Sequence, residues 1–337
     1  MTGPDSSARR VVLVTGGSSG IGLATALRLA RDGADLVLTA RSVDALEAAA
    51  RQCEAHGARV LVAPADVGDA DAVDGAAEAA LERFGRLDAV VHSAAALAYG
   101  RFEDVPREVF DAALTTTLLG TSNVCRTALR HFHATGRGRL VVVGSLLGSI
   151  STPYMSSYVT AKWGVHGLVR TLQIEARQTP GIEISLVAPG GVDTPVYRQA
   201  GTYLQRHGRP PPPVDPPEKV ADAVVRCLER PSRERSVGLA NGIVVAGFRL
   251  LPGVFDRLVT PLMRLGGIER VPVPDSPGNV LEPNGPGEAV HDRWNRWGGT
   301  RAVSPVVTPE RAHPERSDDG PVGRDGPDGP PVDGGPR

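Results

Sequence analysis

Short apolar runs alternate along the chain with longer stretches in which apolar residues recur every three or four positions. Residues 11–14, 35–39, 59–63, 88–92, 140–144 and 182–187 read as strands. The longer stretches 20–31, 43–56, 108–133, 158–178 and 218–229, and the alanine-rich run after Asp66, read as helices. Strand and helix alternate strictly, and that order predicts an α/β fold with a doubly wound parallel sheet.

The first strand passes directly into Thr15-Gly16-Gly17-Ser18-Ser19-Gly20-Ile21-Gly22 and then into a helix. Glycines at 16, 20 and 22 let the backbone approach a bulky anion, and the free N–H groups of the new helix point at it. A dinucleotide pyrophosphate is the expected ligand. The spacing is T-G-x-x-x-G-x-G, only a partial match to the general dinucleotide fingerprint. At the end of the second strand stands Arg41, with no acid at 39 or 40. An arginine there accommodates the 2′-phosphate of NADP(H), and hydroxyls of Ser18, Ser19 and Ser42 would add donors. A solvated arginine at a strand end is the competing reading.

The fifth strand delivers Ser145 at its carboxyl end, and thirteen residues later comes Tyr158-Val159-Thr160-Ala161-Lys162. Residues four apart share a helix face. Interconverting an alcohol and a carbonyl needs a proton donor and acceptor at the oxygen. Tyr158 supplies that if Lys162 lowers its pKa, and Ser145 would bind the reacting oxygen.

The glycine loop, the serine thirteen residues before Y-x-x-x-K and the turn Pro189-Gly190-Gly191-Val192-Asp193-Thr194-Pro195 together resemble the short-chain dehydrogenases/reductases, over about residues 10–240. The resemblance implies a single Rossmann-fold domain and an NADP(H)-dependent oxidoreductase acting on a small-molecule carbonyl or alcohol. By position it also assigns cofactor contacts to Gly16, Ile21, Asp66, Val67, Ala94, Tyr158, Lys162, Pro189, Gly190, Val192 and Thr194. For Asp66, a plain helix N-cap competes with adenine contact. Homo-oligomerisation through the helices at 108–133 and 156–178 is a further implication. Two positions depart from the family pattern. His92-Ser93-Ala94-Ala95 stands where Asn-Asn-Ala-Gly is usual, and Thr117 stands in place of an asparagine in the proton path. They motivate a rival reading, a catalytically impaired NADP(H)-binding partner protein. Epimerisation or dehydration by the same residues is another.

With 337 residues and a net charge of −1, the chain carries no basic field to recruit nucleic acid. Cys53, Cys125 and Cys227 lie far apart, which fits reduced thiols and no metal site. The N-terminus lacks a secretory apolar core, and the run 237–248 is too short to span a bilayer, so a cytoplasmic, soluble protein is expected. Residues 1–9 and the Pro/Gly-rich stretch 271–337 read as largely disordered, with Trp294 and Trp297 as docking points. The loop 196–217 has the length of a lid.

Between them, 241–270 forms an apolar helical extension broken by Pro252, with Phe255, Leu258, Val259 and Leu262 on one face. That face fits a cap over the substrate cleft, an oligomer contact, a membrane-surface helix or plain packing. Arg249, Arg257 and Arg264 leave peripheral membrane contact open. The apolar segments LLGSI and PYM beside the site favour a lipophilic substrate.

Overall fold

The computed structural model describes residues 9–283, 288–292, 294 and 297, all within one unit comprising residues 1–301. Its chain order is β1 (Val11–Thr15), α1 (Gly20–Arg31), β2 (Asp35–Thr39), α2 (Val43–Glu54), β3 (Val60–Val62), α3 (Ala70–Phe84) and β4 (Ala89–His92). There follow β5 (Ala98–Tyr99), α4 (Arg107–Leu114), α5 (Gly120–Thr135), β6 (Gly138–Val143), α6 (Ser156–Glu175), β7 (Ile182–Pro189) and α7 (Val196–Gln199). The chain continues through β8 (Gly201–Thr202), β9 (Arg206–Gly208), α8 (Pro217–Glu229), β10 (Glu234–Val237), α9 (Asn241–Leu250), α10 (Pro252–Gly266) and β11 (Ile268–Pro272).

Seven strands form the central sheet in the order β10-β7-β6-β4-β1-β2-β3, with every pair parallel. Successive strand side chains point to opposite faces. Val12 and Val14 therefore pack with Leu23, Leu46 and Val224 of α1, α2 and α8, while Val11 and Leu13 pack with Val73, Val124 and Val165 of α3, α5 and α6. Both faces of the sheet are covered, which is why the strands read as continuous apolar runs. The strand order reverses between β1 and β4, and such a switch point opens a crevice at the strands' carboxyl ends.

Three details differ from the sequence reading. Residues 107–135 are interrupted by a π-helical turn at Thr115–Leu119. Asp69, not Asp66, caps α3, accepting from the N–H groups of Asp71 and Ala72 at 3.0 and 3.3 Å. Asp66 instead accepts from the N–H of Gly68 at 2.8 Å.

The boundary drawn at 271 is also corrected. β11 runs antiparallel to β9, and Val280 and Trp294 are both 2% exposed. Trp294 finds an apolar seat beside Tyr197, with ring centroids 6.4 Å apart, and local composition does not reveal such a seat. Trp297, the other expected docking point, is 74% exposed. The disorder expected for 1–8 and beyond 298 falls outside the described residues.

Candidate active site

A cavity of about 940 Å³ opens along the carboxyl edge of the sheet, over the β1/β4 switch point. Its lining includes Gly16, Ser18, Ser19, Gly20 and Ile21, then Arg41, Asp66, Val67 and Ala94, then Ser145, Tyr158 and Lys162, and Pro189, Gly190, Val192 and Thr194, the last packed beside Gly20. Two of the sequence-derived positions do not line it. Ser42 caps α2, accepting from the N–H of Ala45 at 3.4 Å. Gly22 packs α1 onto the loop, where an added Cβ would stand 1.9 Å from the Gly16 carbonyl oxygen.

The loop geometry suits a dinucleotide. Gly16 and Gly20 have φ of +67° and +51°, a region that favours glycine, and a Cβ on Gly16 would lie 2.8 Å from the Ala94 nitrogen. The turn thus presses against the end of β4, with the Gly17 N–H donating to the Thr39 carbonyl at 3.2 Å. Val67 is fixed in place because Gly120 opposite it has no Cβ; one there would meet the valine side chain at 2.5 Å.

Ser145 follows β6 and caps a short 3-10 turn, its hydroxyl accepting from the N–H of Leu147 at 3.1 Å. Its hydroxyl lies near enough to Tyr158 to pull that phenol's pKa down. Lys162, one turn further along α6, is buried and donates to the Val143 carbonyl at 2.9 Å, with its Nζ 5.6 Å from the Tyr158 ring centre. Burial pushes the Tyr158 phenol up to about 12, against the pull of the Ser145 hydroxyl, and lowers the Lys162 ammonium to about 8. The lowering of Tyr158 expected from Lys162 is not found: burial raises the phenol, and the opposing pull comes from Ser145.

His166 continues the same helix face and was not picked out from the sequence. It accepts the Ser145 N–H on Nε2 at 3.4 Å, and the ring lies where a Cβ on Gly144 or Gly148 would have to be. Burial lowers its pKa to about 4, so it stays neutral and able to accept. The i, i+4, i+8 spacing of Tyr158, Lys162 and His166 was the available signal. Buried Tyr99 and half-buried Tyr197, also at the cavity, had no such signal; β5 and α7 bring them there from distant segments.

The two departures from the family pattern are structural. His92 bonds Thr15 Oγ1 through Nδ1 at 2.7 Å and Thr121 Oγ1 through Nε2 at 2.9 Å, tying β1 and β4 to α5. Burial lowers its pKa to about 3, keeping it neutral. Thr117, in the π turn, donates to the Ala96 carbonyl at 3.0 Å and accepts the Ala96 N–H at 2.9 Å. Neither side chain lines the cavity.

The far wall is apolar. Leu97, Leu147, Ile150 and Met155 come from the parent domain, and Ile243, Val254, Phe255, Leu258, Val259 and Leu262 from α9 and α10. The loop 196–217 is not irregular as expected, since it holds α7, β8 and β9. Arg264 donates to the Tyr154 hydroxyl at 3.0 Å, linking α10 to the loop before Tyr158.

The C-terminal segment lies along the loop end of the same cavity. The Gly20 N–H donates to the Ala289 carbonyl at 2.8 Å. Arg41 donates to the carbonyls of Asn279 and Val280, and Glu288 lines the cleft.

The short chain dehydrogenase family profile matches residues 10–203. The chain belongs to the short-chain dehydrogenase/reductase family. Its relatives are named oxidoreductases, dehydrogenases and reductases, and it is an oxidoreductase of that family. It is 34% identical over 304 residues to the Bacillus subtilis oxidoreductase YxnA, covering 88% of this chain and 83% of that one. A Thermococcus sibiricus alcohol dehydrogenase structure, complexed with 5-hydroxy-NADP, shares 35% identity at a TM-score of 0.58, covering 68% of this chain and 95% of its own. A levodione reductase structure shares 27% identity at a TM-score of 0.62, covering 70% and 98%. Among the described residues no helix is long and apolar enough to cross a membrane.

Proposed function

We propose that this short-chain dehydrogenase/reductase is an NADP(H)-dependent reductase that converts a ketone or aldehyde on a lipophilic small molecule to an alcohol, and the reverse. One observation carries the reading: Ser145, Tyr158 and, one helical turn further on, Lys162 line the same cleft as the glycine loop. NADP(H) would be held by Gly16, Ser18, Ser19, Gly20, Ile21, Arg41, Asp66, Val67, Ala94, Pro189, Gly190, Val192 and Thr194, which line the cleft. When bound, it supplies the hydride.

The chain's own work is at the substrate oxygen. The Ser145 hydroxyl donates to that oxygen and holds it beside Tyr158. Tyr158, with a pKa near 12, keeps its proton at neutral pH and gives it to the oxygen as the carbonyl carbon is reduced. Lys162, a cation below about pH 8, then stabilises the phenolate left behind until solvent returns the proton. Those protonation states suit reduction. The apolar walls from β5, the 146–155 segment, α9 and α10 support a lipophilic substrate. The neighbouring structure with 5-hydroxy-NADP supports the choice of nucleotide. Leu119 and Ile174, exposed on the helices expected to pair copies of the chain, support a homo-oligomer.

NADPH oxidation, with NADH as control, against aliphatic, aromatic and steroid-like carbonyls tests the reading. Turnover should favour NADPH and fall by about 10²–10⁴ in Tyr158→Phe with NADPH binding intact. No turnover of any carbonyl by a wild type that binds NADPH sinks it and revives the cofactor-binding partner protein.

A further inference from the structure

The end of β2 normally decides which dinucleotide such a fold accepts. An acid there takes the ribose 2′-hydroxyl and repels a 2′-phosphate, whereas an arginine takes the phosphate. Here the strand offers Ala40, Arg41 and Ser42, and no acid. The acid comes instead from the far end of the chain. Glu288 lines the cavity together with Ser18 and Arg41, and both favour its charged form against the cost of burial. Its second carboxyl oxygen, Oε2, is buried and lacks a hydrogen-bond partner among the described residues.

That carboxylate is held in place from both sides. Upstream, Arg41 grips the carbonyls of Asn279 and Val280. Downstream, the Ala289 carbonyl sits on the Gly20 N–H at 2.8 Å. Beyond it, buried Asp193 accepts the N–H groups of Asp292 and Trp294 at 3.2 and 2.7 Å.

We infer that Glu288 is a cofactor-discriminating residue, brought to the ribose end of the dinucleotide cleft by the C-terminal segment, where it restrains the preference for a 2′-phosphate that Arg41 and Ser18 confer. This rests on the reading of Arg41 as the ribose-end residue. A 2′-phosphate entering the Ser18/Arg41 cradle meets a fixed carboxylate and competes with it for the same donors. A 2′-hydroxyl meets no such repulsion and can donate to the open Oε2. Like charges a few ångströms apart at an effective dielectric near 20 give a discrimination on the order of tenfold or more.

The test is the dissociation constants of NADPH and NADH for the full chain, read by nucleotide fluorescence, in wild type, Glu288→Gln and Arg41→Ala. Glutamine keeps the size of the side chain and an acceptor oxygen. Glu288→Gln should bind NADPH about tenfold tighter, with NADH unchanged or weaker. Arg41→Ala should lose about tenfold for NADPH alone. An NADPH-to-NADH ratio unchanged in Glu288→Gln, with the Arg41→Ala loss still present, overturns the discriminator and leaves the ribose-end reading standing. A ratio unmoved by Arg41→Ala overturns the ribose-end reading itself and the discriminator with it. Glu288→Lys is the second variant, expected to tighten NADPH beyond Glu288→Gln.

Discussion

The two walls of the cavity obey opposite rules. On the sheet side the polar groups in and behind the wall are tied to backbone: Lys162 to the Val143 carbonyl, His166 to the Ser145 N–H, and Thr117 to both polar groups of Ala96. On the C-terminal side, α9, α10 and the residue between them present Ile243, Leu251, Leu258 and Leu262 to the cavity while each is more than half exposed. Their fixed points among the described residues include buried Asn241, which donates to the carbonyls of Ala188 and Val237, the Arg264–Tyr154 bond, and Arg209, which donates to the carbonyls of Leu265 and Gly266 at the end of α10. Chemistry is thus built where packing determines geometry to a fraction of an ångström. Substrate contact is built where side chains can change at little cost to stability.

If the comparison is right, damage to the first wall appears in proton chemistry. The largest expected effect is a pH response. Lys162 sits at about 8, while Tyr158 at about 12 and His166 and His92 at about 4 and 3 lie well away from it. For reduction, kcat/KM for NADPH should be level on the acid side of pH 8 and fall about tenfold per unit above it, as the Lys162 cation is lost. Lys162→Arg keeps the charge to far higher pH and should abolish the break below pH 10. A break at the same pH in that variant assigns it to another group.

Damage to the second wall should appear in substrate binding and leave the chemistry alone. Replacing Leu258 and Leu262 together by serine removes apolar surface that covers substrate, where a fully buried leucine contributes about 1.5–3 kcal/mol. Half-exposed positions give less, so KM for a long-chain or steroid-like carbonyl should rise about tenfold with kcat unchanged. An acetone-sized carbonyl should be indifferent. Equal effects on both substrates, or a loss of kcat, place α10 outside the substrate wall.

The same contrast explains what could be read from the chain. The sheet, the glycine turn and the Ser145–Tyr158–Lys162 spacing were legible because each depends on local periodicity or on residues within one turn of helix. Both extension helices were legible too, from the stripe of apolar residues and Pro252. What covers the cleft was not. Glu288 meets Ser18 across nearly the whole length of the chain, and Trp294 is buried by Tyr197 and Asp193. A proline- and glycine-rich composition signals disorder unless distant groups provide a seat, and one-dimensional patterns do not carry such pairings. Ser42 was ambiguous for a different reason: a serine before a helix serves equally as a phosphate donor and as a cap.

Thr117 gives the smallest expected effect on activity and the finest test of the comparison. Its family position suggested a slowed proton relay, yet its hydroxyl is spent on the Ala96 N–H and carbonyl, at the turn between β4 and β5. Thr117→Val keeps the shape and removes that hydroxyl, leaving two polar backbone groups of a residue only 2% exposed without their partner. The cost should be about 1–3 kcal/mol of unfolding free energy, measured by urea titration. Turnover should stay within about twofold of wild type, because no reacting atom is touched. A hundredfold loss of kcat at unchanged stability reverses the assignment and returns Thr117 to the proton path. If so, the first wall is anchored less by its backbone ties than by the chemistry it supports, and the π turn at Thr115–Leu119 becomes part of the catalytic apparatus.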